Sequence, residues 1–419
     1  MILRGFALIA LLAMSLAASA AGAVERANVA RAIAPPADDL PIATDARLAG
    51  DGSRTRLVVD LSRTIDLAAF ALADPYRVIV DLPQIVFKLP GRTGENGRGL
   101  VKAFRYGLVM QGGSRLVIDA NGPVRIDKAF VLEAANGDPA RLVIDLVATD
   151  RDSFMRTLAV EARPRRASDP KRPDVKPAPS GDSRPLVMID PGHGGVDAGA
   201  TAASGVMEKA IVLDFSHALR EKLEKSGKYR VAMTRSDDTF IPLGERVRIA
   251  RAAGAALFIS IHADAITHST NEVRGATVFT LSDTASDPDA AKLADTENRA
   301  DVIAGVDLSA EPEEVADILI DLTQRETRNF SAHFARTVVG EIKAVARLHK
   351  NPLKSAGFRV LKAPDIPSVL IELGYVTNKE DLKLITSESW RTRTADAIAQ
   401  AVNTFFSTRI AGGTPHGSN

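Results

Sequence analysis

The chain has no cysteine, which excludes disulfide scaffolds, thiol nucleophiles and thiolate metal sites. Any metal must therefore be held by histidine and carboxylates. An excess of one charge sign is also missing. Against 53 Lys and Arg stand 52 Asp and Glu, a net charge of +1, which argues against bulk attraction to nucleic acid. Aromatics are scarce at 5%, yet 45% of the 419 residues are hydrophobic, enough aliphatic surface for two or three domains. Past the amino-terminal segment, no stretch is long and apolar enough to cross a bilayer.

In that segment Arg4 precedes an uncharged run from Phe6 to Leu16, followed by Ala18-Ser19-Ala20 and Ala21-Gly22-Ala23. Residues 1–23 read as a secretory signal peptide cleaved after Ala20 or Ala23, leaving no transmembrane anchor. The alternative, an uncleaved anchor, has an apolar centre too short to span hydrocarbon comfortably.

Between residues 40 and 150 one pattern recurs four times: Arg56-Leu57-Val58-Val59-Asp60, Arg77-Val78-Ile79-Val80-Asp81, Arg115-Leu116-Val117-Ile118-Asp119 and Arg141-Leu142-Val143-Ile144-Asp145. Aliphatic cores bracketed by charge and separated by turn clusters such as Asn121-Gly122-Pro123 predict strands of an antiparallel sandwich. The first-to-third and second-to-fourth spacings are similar, as a duplicated β unit would give. With no histidine, this unit reads as a binding or targeting module. Taken singly, each Arg or Asp reads as solvating a strand end.

Residues 151–185 read as a Pro-rich linker; from 161 to 185 there are six prolines and eleven charged residues with almost nothing apolar. A domain over 186–410 comes next, in which short apolar strands alternate with amphipathic helices. Strands are expected at Leu186–Ile189, Tyr229–Thr234, Leu257–Ile261, Ala276–Leu281, Phe358–Leu361 and Val369–Leu373. Helices are expected at Lys209–Lys225, Leu243–Ala253 and Thr327–Leu348, with another at the carboxyl end. The fold class is thus an α/β catalytic domain, a mostly parallel sheet flanked by helices, preceded by a smaller all-β sandwich.

Catalytic groups of such domains gather beyond the carboxyl ends of strands. Three polar signals stand there: Asp190-Pro191-Gly192-His193-Gly194-Gly195, Ser260-Ile261-His262-Ala263-Asp264, and Glu372 before Leu373-Gly374. The glycines permit a sharp turn and would leave His193 open to solvent. Glu208 opens the first long helix, where a carboxylate suits the dipole. His193, Glu208 and His262 form a candidate His₂Glu zinc site with a fourth position free for water. Glu372 is the candidate proton carrier beside it. His217, His268, His333, His349 and His416 read as ordinary surface or core residues; Arg235 and Arg246, near predicted element ends, could bind a carboxylate but read first as surface or structural ion-pair partners.

From about Arg184 to Arg409 these motifs together resemble the zinc-dependent N-acetylmuramoyl-L-alanine amidases. The resemblance implies one Zn²⁺ and cleavage of the amide between N-acetylmuramic acid and L-alanine in peptidoglycan. Residues 40–150 resemble the AMIN-type β-sandwich that precedes such domains and targets them to the wall at the division septum. With the signal segment, this implies a periplasmic enzyme of daughter-cell separation. Asp264 departs from the Asn expected after His-Ala in many relatives.

An insertion over 283–328 carries thirteen acidic and four basic residues, too long for an ordinary turn. Pro288 can open a helix whose Ala290, Leu293, Ala294, Ala300 and Ala304 share one face with Glu297. That carboxylate is either solvated at the edge or meets a cation. A second helix is signalled by Pro312 with Val315, Ile318, Leu319 and Leu322 at helical spacing, a stripe that is either core or a docking face. Septal amidases of this family carry an inhibitory helix here, and Leu293-Ala294-Asp295-Thr296-Glu297-Asn298 resembles its segment. The resemblance implies Glu297 as an autoinhibitory zinc ligand, released when a LytM-domain activator docks at Val315, Ile318, Leu319 and Leu322. Two other readings stay open: a zinc hydrolase of another wall peptide or amide bond, and a non-catalytic wall-binding division protein.

Overall fold

Alternation of apolar and polar residues in each repeated run sends one face of a strand into a core and leaves the other charged. A computed structural model describes residues 40–109, 113–135, 137–165, 182–265, 273–306 and 318–411. The signal segment, most of the linker, His268, His416 and Val315 lie outside the described residues.

The first unit comprises β1 (Ile42–Gly50), β2 (Arg54–Leu61), β3 (Ala68–Leu72), β4 (Arg77–Pro83), β5 (Val86–Phe87), β6 (Val101–Val109), β7 (Gly113–Ala120), β8 (Val124–Leu132) and β9 (Ala140–Ala148). They form two sheets, β5-β1-β2-β9-β8 and β6-β7-β4-β3, the second gaining a short strand from the second domain. The order β1-β2-β9-β8 repeats as β6-β7-β4-β3, so each sheet takes one hairpin from each half of the duplication. Leu57, Val59, Val78, Val80, Leu116, Ile118, Leu142 and Ile144 fill the core between them.

The charges that bracket each run do more than solvate strand ends. Arg56 lies opposite Asp145 and Asp60 opposite Arg141 across β2 and β9; Arg77 lies opposite Asp119 and Asp81 opposite Arg115 across β4 and β7. Three of these positions close as ion pairs, Arg56–Asp145 at 2.6 Å, Arg115–Asp81 at 2.5 Å and Arg141–Asp60 at 3.7 Å. An antiparallel pairing of runs that each begin with Arg and end with Asp brings opposite charges together automatically.

The segment read as a linker begins with a helix, α1 (Arg151–Arg165). Asp150 accepts from the Ser153 amide at 2.8 Å, an N-cap, and Phe154 is buried edge-on against Tyr76, ring centres 5.2 Å apart. Proline enrichment starts only at Pro164, so the preceding residues are free to coil.

The second domain contains β10 (Leu186–Pro191), α2 (Glu208–Lys225), β11 (Arg230–Met233), β12 (Thr239–Phe240), α3 (Leu243–Ala252), β13 (Leu257–His262) and β14 (Ala276–Leu281). It continues with α4 (Pro288–Glu297), α5 (Ala300–Ile303), α6 (Ile318–Ile342), β15 (Leu348–Ala356), β16 (Ser368–Glu372), α7 (Lys379–Ile385) and α8 (Glu388–Ala411). The sheet runs β11-β10-β13-β16-β14-β15, and every pairing but β14 with β16 is parallel. On one face Phe215 and Leu219 of α2, Phe334 and Val338 of α6 and Val402 and Phe405 of α8 join Ile189, Ile259 and Ile371 of the sheet. On the other, Leu293 and Ala294 of α4 join Met188, Phe258, Phe279 and Leu370. Each such phenylalanine contributes about 1.5–3 kcal/mol by burial, so the central strands are fixed firmly enough to position the polar residues at their ends.

Two expectations change here. The run Phe358–Leu361 is not a strand; Arg359–Leu361 forms a 3₁₀ turn. Its backbone bonds locally, Leu361 N–H to Phe358 O at 3.2 Å, while Asn298 braces the start of the turn, donating to Gly357 O at 2.9 Å and accepting from the Arg359 amide at 2.8 Å. The outer strand is β15 instead, and the helix expected over Thr327–Leu348 gives way to α6, ending at Ile342. Among the described residues, no helix is long and apolar enough to cross a membrane.

Candidate metal centre and catalytic residues

Parallel strands β10, β13 and β16 stop side by side, with His262 in register with Glu372. His193 lies just beyond β10 in a left-handed conformation, φ 57°. Glu208 is the first residue of α2, where the helix dipole favours its charge. Three residues far apart in sequence therefore converge: His193, Glu208 and His262 offer ligand atoms all within 4.8 Å of one another, and all three are buried.

The donors point inward. Glu208 Oε1 lies 3.1 Å from His193 Nε2 and 3.4 Å from His262 Nδ1. Its carboxylate is itself held by the amides of Ala200 and Ala263, at 2.9 and 2.8 Å. His193 Nδ1 is 2.9 Å from Asp197 Oδ2; donating its proton there leaves the Nε2 lone pair facing the cluster, as a carboxylate behind a ligating imidazole does. His193 Nε2 and His262 Nδ1 are buried with no hydrogen-bond partner. Two orphaned imidazole nitrogens beside a buried carboxylate fit a divalent cation, and the nitrogen and oxygen donor set suits zinc.

Electrostatics agree with that fit. Burial opposes charging His193, but Glu208, Asp197 and Glu297 outweigh it and raise its pKa well above the usual imidazole range. His262 is likewise opposed by burial and pushed up to about 10, chiefly by Glu297 and Glu208. The pocket thus holds positive charge strongly.

Glu297, the last residue of α4, is buried with its Oε2 3.1 Å from His262 Nδ1 and 3.5 Å from His193 Nε2. Ala290, Leu293 and Ala294 of α4 pack on the core as their periodicity indicates; the helix expected to carry the stripe on to Ala304 stops at Glu297, and Ala300 and Ala304, also buried, belong to α5 and the turn after it. His193 is consequently 7% exposed rather than open to solvent. The cavity left beside the cluster, lined by Gly192, His193, His262, Glu297 and Asn298, has a volume of about 10 Å³, room for about one water. The glycines serve a different end from solvent access. A Cβ on Gly192 would fall 2.4 Å from the His262 ring, and one on Gly199 (φ 65°) 2.7 Å from both His193 and Glu208.

Glu372 is fully buried at the end of β16; its Oε2 accepts from the Asp264 amide at 3.1 Å and its Oε1 has no partner. Burial, reinforced by Asp264, Glu208 and Glu297 and opposed by His262, raises its pKa well above the carboxylate range. Asp264 is pushed up to about 7 by burial and by Glu208 and Glu297.

Arg235 and Arg246 build the turn rather than meet substrate. Arg246 donates to Asp190 Oδ1 at 2.9 Å and to His193 O at 2.7 Å, while Arg235 donates to Gly192 O at 2.7 Å. Asp190 also accepts from Thr234 and Ser260, at 2.6 and 2.7 Å. His217, His333 and His349 join neither cluster: His217 lies 3.2 Å from Ser236 O, His333 stacks near Phe405 and His349 bonds Asn351. Asp197 is not among the residues that the sequence pattern singles out; its signal is a carboxylate four residues after a ligand-type histidine. Ile318, Leu319 and Leu322 lie on α6, whose side chains there are outside the described residues.

With this geometry in hand, comparison with known proteins is decisive. The N-acetylmuramoyl-L-alanine amidase profile matches residues 187–404, and the AMIN domain profile matches residues 45–146. The chain belongs to the N-acetylmuramoyl-L-alanine amidase family. It is 34% identical over 366 residues to N-acetylmuramoyl-L-alanine amidase AmiC of Escherichia coli O6:H1, covering 84% of this chain and 87% of that one. It is also 34% identical over 385 residues to AmiC of Neisseria meningitidis serogroup B, covering 88% and 91%. To AmiA of Escherichia coli it is 41% identical over 228 residues, 54% of this chain and 78% of that one. The amidase is thus an enzyme of AmiC type acting on peptidoglycan, which sets aside the non-catalytic alternative.

Proposed function

We propose that this amidase holds one zinc ion on His193, Glu208 and His262 and hydrolyses the amide joining the lactyl group of N-acetylmuramic acid to L-alanine. The observation carrying the reading is the pair of buried, unpartnered imidazole nitrogens facing Glu208. A zinc ion bound there supplies Lewis acidity that polarises the amide carbonyl and makes water nucleophilic near neutral pH. Glu372 Oε1, unpartnered and beside His262 in register, takes the proton from the attacking water. As a bond forms between water oxygen and the carbonyl carbon, the carbon–nitrogen bond breaks, and Glu372 returns the proton to the alanine nitrogen. The products are the lactyl carboxylate and a free peptide amine. Asp197 keeps the His193 ring oriented throughout, and Arg246 and Arg235 keep its backbone in place.

In this reading the enzyme rests in an inhibited state. Glu297 fills the position that substrate and water need, with α4 closing the cavity. A LytM-domain activator docks on the helix bearing Ile318, Leu319 and Leu322, together with Val315, and draws α4 away. Export by the segment 1–23 delivers the enzyme to the periplasm, and the domain over 40–150 concentrates it at the division septum. The domain over 186–410, interrupted by the insertion 283–328, carries the chemistry.

Digestion of purified peptidoglycan with mass analysis of the fragments tests the bond cleaved. The reading expects intact glycan strands and free L-alanine amino termini, and requires Glu372→Ala to abolish the release of those termini. Glu297→Ala is expected to raise hydrolysis without activator; unchanged basal activity refutes the gate.

A further inference from the structure

The two sheets of the sandwich carry the same Arg and Asp ladder, yet their outer faces meet different fates. On β2 the Arg56 side chain is 52% exposed; its counterpart in the duplicated unit, Arg115 on β7, is 15% exposed. The aliphatic residues inside the second ladder, Ile79 and Val117, are both 0% exposed although they point away from the sandwich core. Ile79 is covered by the segment that follows Glu297. Arg105 donates from Nε to Ile303 O at 3.1 Å, and Arg115 Nη1 donates to Ala304 O and Gly305 O at 3.1 and 3.0 Å. Gly305 (φ 72°) packs so closely that a Cβ would lie 2.2 Å from Ile79 Cδ1.

These contacts meet the end of α5, where three carbonyls would otherwise go unpaired and where the helix end favours cations. Each arginine is at the same time fixed by its own carboxylate, Arg105 by Asp119 at 2.8 and 2.9 Å and Arg115 by Asp81 at 2.5 and 3.0 Å. The guanidinium groups are thus prearranged before they meet the helix end, which lowers the entropic cost of holding it. The edge of the same sheet is joined to the catalytic domain as well: β12 pairs with β6, Thr239 with Leu108 and Phe240 with Val109. That pairing lies next to the His193 turn, where Gly195 is packed against Leu108 O.

We infer that the β6-β7-β4-β3 sheet of the sandwich is a catch for the gate, its Arg105 and Arg115 holding the α4–α5 segment closed over the metal centre. The sandwich is then part of the switch as well as a wall-targeting module: movement of the sandwich away from α5 loosens Glu297. This inference rests on the reading of Glu297 as a gate and extends it to a second domain.

The test uses the full chain in three forms, wild type, Glu297→Ala and the double variant Arg105→Ala with Arg115→Ala, without activator. Basal digestion of dye-labelled peptidoglycan and amide hydrogen exchange at residues 300–306 are both measured. The double variant is expected to raise basal digestion and to speed exchange in that segment by about tenfold, the ratio given by about 1.4 kcal/mol of lost contact. If Glu297→Ala activates while the double variant changes neither readout, the catch is overturned and the gate stands. If Glu297→Ala does not activate, the gate fails, and exchange alone decides whether the arginines hold the segment. Should the double variant unfold the sandwich, Gly305→Ala probes the same contact from the other side. Faster digestion and exchange in that variant support the catch, and wild-type values of both overturn it.

Discussion

Gly192→Ala puts the metal centre to a quantitative test while leaving every proposed ligand in the chain. Residue 192 is not in the left-handed region, so alanine meets no backbone obstacle; only the added Cβ matters. That atom would sit 2.4 Å from His262 Cε1, 2.6 Å from Nε2 and 2.8 Å from Nδ1, about 1 Å short of the roughly 3.5 Å at which carbon atoms rest against each other. His262 cannot yield by moving its backbone, because β13 is hydrogen-bonded to β10 on one side and β16 on the other. The ring must turn or shift by about 1 Å, and Nδ1 leaves the point it shares with His193 Nε2 and Glu208. Disturbing one ligating imidazole is expected to cost zinc affinity about 10–100-fold, or about 1.4–2.8 kcal/mol. Overpacking adds about 1–3 kcal/mol of lost fold stability. Competition for zinc against a chromophoric chelator reads the first quantity and a denaturant melt the second. Zinc affinity equal to wild type in Gly192→Ala would refute the convergence of His262 with His193 and Glu208.

Asp197→Asn is expected to lower zinc affinity by about 10–100-fold with little change in unfolding midpoint, because the charged acceptor behind His193 Nδ1 is lost; an unchanged titration contradicts the orienting role. Arg246→Leu leaves buried Asp190 with only Thr234 and Ser260 and frees His193 O, so stability should fall by about 3–5 kcal/mol in urea unfolding. A loss below the error of the midpoint would show that this ion pair is dispensable. Glu372→Gln should bind zinc as wild type does and lose peptidoglycan digestion, because the proposed role of the side chain is to carry protons and it is not among the three converging ligands; retained digestion contradicts that role.

How much of this was readable in the residues varied with the physics behind each feature. The positions of His193, His262 and Glu372 were legible because strand ends in a parallel sheet collect polar groups, and a polar residue closing an apolar run is conspicuous; Glu208 was legible as a carboxylate opening a helix, where the dipole favours it. The burial of Glu297 was half legible: its helix stripe was clear, but whether the carboxylate met water or cations depended on partners over thirty residues away. Asp197 and the Arg105 and Arg115 contacts left no periodic trace, since loop geometry and docking of the two domains decide them. β15 was hidden because Leu348–Ala356 alternates weakly and includes Pro352, tolerable at a sheet edge. Phe358–Leu361 looked like a strand by composition, but its backbone closes into a local turn braced by Asn298 at the Arg359 amide. The duplicated Arg and Asp ladder illustrates the converse: spacing alone revealed the repeat, while the cross-strand pairing that explains it required the sheet order.

Zinc-edge X-ray absorption on the zinc-loaded full chain tests the central claim most directly. The account predicts a first shell of two imidazole nitrogens with carboxylate oxygen at about 2.0–2.2 Å, reduced by one imidazole in His193→Ala and again in His262→Ala. A chain that retains no zinc, or a shell indifferent to both substitutions, would contradict it.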